Sequence, residues 1–87
     1  MTSTRLTYRH LIELVDGDDE LIARLLEDGE IERRDDAVVV VDVDRVLIAR
    51  TLVRELEIDW PGVEVILRLL RELAEARQRI AELESSK

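Results

Sequence analysis

Residues able to make or break bonds are scarce in this sequence. His10 is the single histidine, and there is no cysteine. His10 and Glu13 share a helix face, but one such pair is a solvated surface feature; a base poised for catalysis needs converging groups around it. The adjacent acids Asp18-Asp19 and Asp35-Asp36 fall at turns and helix starts, where aspartate serves the backbone. No group of acids has the spacing of a calcium loop, and the three scattered glycines build no phosphate-cradling loop. Lack of cysteine also removes disulfides and thiolate zinc sites. The expectation is a protein that is not an enzyme and uses no metal or cofactor.

Charge is the more informative signal. Over 87 residues, 21 acids face 13 bases, a net of −8. Such a surface repels phosphate backbones and draws basic protein partners, most strongly at low salt. Aromatic residues are limited to Tyr8 and Trp60, so aliphatic side chains must fill any core. The longest apolar run, Ala37–Val41, is far too short for a membrane span, and Met-Thr-Ser-Thr-Arg is not a secretory leader. A soluble cytoplasmic protein is expected, with no membrane partner.

The pattern predicts a mainly α fold in one domain over 1–87. Leu6-Thr7-Tyr8 reads as a strand stub, with Thr7 capping a short helix over Tyr8–Val15. Asp16-Gly17 is a turn, and Asp18 caps a second helix ending near Asp28, with Gly29 as its left-handed terminator. Together 7–29 form a helix-turn-helix. Ile31–Arg34 and Ala37–Val41 are strands joined by a tight turn, a β-hairpin wing over 31–41 that must lean on the helices. Asp42 caps a third helix over 42–57, with Val46, Leu47, Ala49, Leu52, Val53 and Leu56 as its apolar positions. Asp59 caps a long C-terminal helix over 59–85, with Pro61 in its first turn and an Ile58–Val63 staple.

Two surfaces follow. Helix-turn-helix scaffolds commonly grip DNA with the second helix, which should then present Arg, Lys, Asn or Gln. Between Asp16 and Glu32 there are instead eight acids against Arg24 alone. The candidate residues for a basic protein partner are Asp18, Asp19, Glu27 and Asp28, with no nucleic acid expected. Trp60 belongs either to the interhelical core or to that interface as an anchor. The second surface is a heptad seam on the long helix: Ile66, Leu69, Leu73, Ala76, Ile80 and Leu83 recur at 3-4-3-4-3. Ile66 to Leu70 read as core; Leu69, Leu73, Ala76, Ile80 and Leu83 predict a homodimer interface. A parallel pair sets Glu72 against Arg77 and Arg79 against Glu84 of a second copy, whereas an antiparallel pair sets Glu72 against Arg79. Charge leaves the direction open.

The segment Leu56-Glu57-Ile58-Asp59-Trp60-Pro61-Gly62-Val63, followed by the long apolar helix, resembles the chaperone modulator CbpM family. Its members carry L-x-(L/I)-DWPG-(I/V) between their third and fourth helices. The resemblance implies a MerR-like winged helix-turn-helix with a small β-hairpin wing. It also implies dimers formed through the C-terminal helix, commonly as an antiparallel coiled coil. As function it implies binding and inhibition of the J-domain of a DnaJ-like (CbpA-like) co-chaperone, keeping it from its Hsp70 partner DnaK. The alternative is a MerR-type DNA-binding transcriptional regulator of chaperone genes, which a cluster of Arg33, Arg34, Arg45 and Arg50 on one face would favour.

Overall fold

Each helix begins where a short oxygen-bearing side chain stands before an apolar-periodic run. The computed structural model describes residues 4–86. Helix α1 (Tyr8–Leu14) is capped by Thr7, whose hydroxyl accepts the His10 amide at 3.1 Å. Helix α2 (Asp19–Glu27) is capped by Asp18, which accepts the Leu21 amide at 3.0 Å. Asp42 accepts the Asp44 amide at the start of α3 (Val43–Arg54), and Asp59 accepts the Gly62 amide at the start of α4 (Trp60–Ser85). Such caps contribute about 1 kcal/mol each.

Helices α1 and α2 end by the same device. Past α1, Asp16 is left-handed (φ 56°), and the Asp16 and Gly17 amides return to the Glu13 and Ile12 carbonyls. Past α2, Gly29 is left-handed (φ 74°), and the Gly29 and Glu30 amides return to the Leu26 and Leu25 carbonyls. These paired returns satisfy carbonyls the helix leaves open and turn the chain sharply. They fix the angle of the helix-turn-helix and aim Glu30 inward.

The wing has three strands. β1 (Thr4–Leu6), β2 (Ile31–Arg34) and β3 (Ala37–Val40) form an antiparallel sheet in the order β1-β3-β2. Leu6 pairs with Val38, and Ile31 with Val40. The expected stub at Leu6-Thr7-Tyr8 therefore lies earlier, because Thr7 is spent as the α1 cap. Valine-rich β3 takes the central position, and the added strand gives the hairpin the support it lacks alone. Asp35 carries the turn in left-handed backbone (φ 57°).

Helix α3 ends at Arg54, three residues short of the expected 42–57 boundary. The Leu56 amide reaches back to the Thr51 carbonyl and the Ile58 amide to Leu52, with Glu57 left-handed (φ 53°). This wide turn presents Asp59 to the first turn of α4. It also throws Leu56 outward, 60% exposed, so Leu56 is not the inward position its spacing suggested.

The core is aliphatic throughout. Leu11, Val15, Leu21, Ile22, Leu25, Ile31, Val38 and Val40 meet Val46, Ala49, Leu52, Val63 and Leu67, all buried. Trp60 packs on this cluster from its edge, half-buried. Gly62 sits where the chain enters α4 beneath the Ile58 staple; a Cβ there would lie 2.7 Å from Ile58 Cγ2 and 3.2 Å from the Asp59 cap oxygen. Glycine to alanine inside a helix ordinarily gains about 1 kcal/mol. Here the gain is outweighed, and Gly62→Ala is expected to lower stability in urea denaturation by about 1 kcal/mol. A more stable variant would show that the staple gives way freely.

Candidate partner-binding surfaces

The apolar face of α2 (Leu21, Ile22, Leu25) is buried, which turns Asp19, Glu20, Ala23, Arg24 and Glu27 to solvent. Three acids against one arginine line the outer face of the helix that such a scaffold presents to a partner. Asp28, the C-terminal cap, extends this face and stands beside Glu64 on α4. The hydrogen bond between these two carboxyl groups, followed by desolvation and the Asp28 charge, raises the Glu64 pKa above its usual range, while Trp60 and Arg24 pull the other way. An approaching cation favours the ionised form of Glu64.

The eight-acid face narrows to these residues. Asp18 is occupied by the Leu21 amide and lies 3.6 Å from Arg54 Nη1, and Asp16 lies 3.9 Å from Arg54 Nε. Glu32 pairs with Arg34 at 3.0 Å. Glu30 is 6% exposed and points into the protein. Asp18 thus serves the backbone first, while Asp19, which accepts the Tyr8 hydroxyl at 3.4 Å, stays exposed with Glu27 and Asp28. Trp60 borders the same region: with Asp18, Glu20, Arg24 and Asp59 it rims a hollow of about 200 Å³ floored by Leu21, Val53 and Ile58. Its ring is shared between core and surface.

The four arginines that would favour DNA do not gather on one face. Arg50 Nη1 donates to the Leu14 carbonyl at 2.7 Å, tying α3 to α1. Arg45 is drawn inward to Glu30. Only Arg33 and Arg34 of the four stand open on the wing, with Asp35 and Asp36 beside them.

Helix α4 carries the second surface. At about 100° per residue, Val63, Ile66, Leu67 and Leu70 form a stripe facing the core. Leu69, Leu73, Ala76, Ile80 and Leu83 form another stripe, about a third of a turn away. The four large ones are 53%, 46%, 56% and 63% exposed, and from Arg71 to Ser86 every residue is exposed. The seam expected from the heptad spacing is thus an uncovered apolar ridge on a helix that continues past its own domain.

A family model described as MerR HTH family regulatory protein matches residues 1–85. The chain belongs to that family. No curated protein and no solved structure matches it. Helix-turn-helix, wing and long C-terminal helix together make this a MerR-like winged helix-turn-helix. No helix among the described residues is long and apolar enough to cross a membrane. Among the same residues, no three His, Asp or Glu side chains gather as a metal-binding group.

What sequence reasoning missed in this MerR-family chain is the anchor between wing, α3 and α4. Arg45 donates to Glu30 through Nε at 2.8 Å and Nη2 at 2.6 Å, and through Nη1 to the Leu67 carbonyl at 2.9 Å. Arg71 Nη2 lies 3.5 Å from the same Glu30 carboxylate. The Glu30 hydrogen bond holds the Arg45 pKa above the ordinary arginine value, against desolvation. No local pattern announces a pair separated by fifteen positions.

Proposed function

We propose that the chain is a non-enzymatic regulator that binds the J-domain of a DnaJ-like co-chaperone and masks its Hsp70 (DnaK)-binding face. In this reading it works as a homodimer joined along α4. The observation that carries it is the outer face of α2, where Asp19, Glu20 and Glu27 stand against Arg24 while Arg45 and Arg50 are spent on internal bonds. J-domains offer a basic second helix to Hsp70, and an acidic helix facing it supplies complementary charge, which speeds association and excludes wrong partners more than it adds raw affinity. The resemblance at Asp59-Trp60-Pro61-Gly62 points the same way. Their capping and seating of α4 accounts for these four residues without any partner contact.

Titration of a purified J-domain at low and high salt tests the reading. The triple variant Asp19→Lys, Glu20→Lys, Glu27→Lys is expected to slow association at least about tenfold at low salt, with the gap closing as salt screens the charges. Lack of wild-type binding at micromolar concentration removes the J-domain as partner. Discrete complexes with duplex DNA in a gel shift, surviving moderate salt, would instead support the transcriptional alternative.

A further inference from the structure

Where α4 leaves the domain it overhangs the base of the wing and the start of α3, and the space between is a cleft of about 430 Å³. Its apolar wall is Val41, Ile48, Leu70 and Ala74, none of them buried. Asp42, Asp44 and Glu75 line it, and its two cations, Arg45 and Arg71, both lean toward Glu30. We propose that this cleft is a second contact surface, which takes an apolar side chain from a basic helical segment of the protein partner. The inference rests on the reading that the partner is a basic protein engaged by α2.

Three observations select this occupant. First, the cleft and the seam lie on different flanks of α4: Arg71, Ala74 and Gln78 are about half a turn from Leu69, Leu73, Ala76 and Ile80, with Leu70 between the two. A second copy joined along the seam therefore leaves the cleft open. Second, the rim is acidic around an apolar floor, the complement of a basic segment with an aliphatic or aromatic anchor. Third, the cleft is continuous with the acidic end of α2. A neighbouring hollow lined by Asp28, Glu64 and the exposed Arg68 shares Glu30, Arg45 and Arg71 with it. One helix laid along this track meets carboxylates at one end and an apolar slot at the other.

Ala74→Trp fills the slot from an exposed helical position, and Ala81→Trp, on the same helix beyond the cleft, controls for the added indole. Both are titrated with the purified J-domain beside wild type and the triple α2 variant. The expected result is about tenfold weaker binding for Ala74→Trp, through faster dissociation, with an unchanged salt slope and wild-type affinity for Ala81→Trp. If Ala74→Trp binds as wild type while the α2 variant is impaired, the cleft is overturned and the α2 reading stands. If equal losses appear in both tryptophan variants, a specific slot is likewise overturned. Failure of wild type to bind overturns the partner reading, and the cleft proposal with it.

Discussion

Glu30→Leu and Arg45→Met, made singly, are each expected to lower the free energy of unfolding by about 3–5 kcal/mol, and the double replacement to recover most of that loss. Glu30 is 6% exposed and carries two charge-assisted hydrogen bonds from Arg45. Removing either partner leaves the other charge desolvated without compensation, whereas removing both exchanges a costly ion pair for apolar packing. The two single changes should not be equal. Arg45→Met leaves Glu30 with Arg71 at 3.5 Å, which softens the loss. Glu30→Leu takes from Arg45 and Arg71 the one carboxylate both of them face, leaving Arg45 only the longer-range charge of Asp42, and is expected to be the worse. Urea denaturation followed by circular dichroism measures both; single variants within about 1 kcal/mol of wild type would show that the site is wetter and looser than its geometry implies.

The pH dependence of this anchor follows from its sign. Arg45 is raised above the ordinary arginine value, chiefly by the Glu30 hydrogen bond. A raised base stabilises the fold fully below its unfolded pKa and loses that contribution only as pH climbs through the folded one. Arg45 therefore contributes no alkaline transition in any working range, and its bonds hold the base of α4 to the wing through neutral and moderately alkaline pH.

Local features of the sequence proved the most readable. Thr7, Asp18, Asp42 and Asp59 marked helix starts because a cap is decided by residues within four positions, and each accepts the amide its spacing required. Gly29 and the Asp35-Asp36 turn were legible for the same reason. Features decided by tertiary partners were not. The end of α3 depends on how Ile58 and Asp59 must enter α4, which overrides the helical spacing of Leu56. β1 exists because Leu6 finds Val38 more than thirty residues away. The acidic count was correct as a sum and wrong as a surface: Glu30 looks like any other acid in the sequence, yet the left-handed turn at Gly29 delivers it to Arg45. The exposed acidic face is accordingly smaller, and it lies on α2 rather than across both linked elements.

Leu73→Glu together with Ile80→Glu is expected to turn a dimer into a 10.1 kDa particle in light scattering and to strip helix from the C-terminal half of α4. The two leave the core untouched, since neither packs on it. Each copy loses two side chains that are about half exposed in the single chain and that a partner helix would cover. Full burial of a leucine or isoleucine is worth about 1.5–3 kcal/mol. Two half-exposed side chains on each of two copies then amount to about 3 kcal/mol, which corresponds to a dissociation constant raised at least about a hundredfold. Burying four carboxylates in the seam adds to that. Loss of helix follows because past Leu70 no apolar side chain of α4 packs on the core, and a stretch of that length without such packing is marginal in water. Glu84→Arg then distinguishes the two directions. It breaks the Arg79–Glu84 contact of a parallel pair and touches none of the Glu72–Arg79 contacts of an antiparallel one, so a several-fold loss of affinity marks the parallel arrangement. A wild-type particle that stays at 10.1 kDa at high concentration would leave the ridge without a self-partner. The exposed leucines would then have to meet a different helix, in line with the α2 face and the cleft.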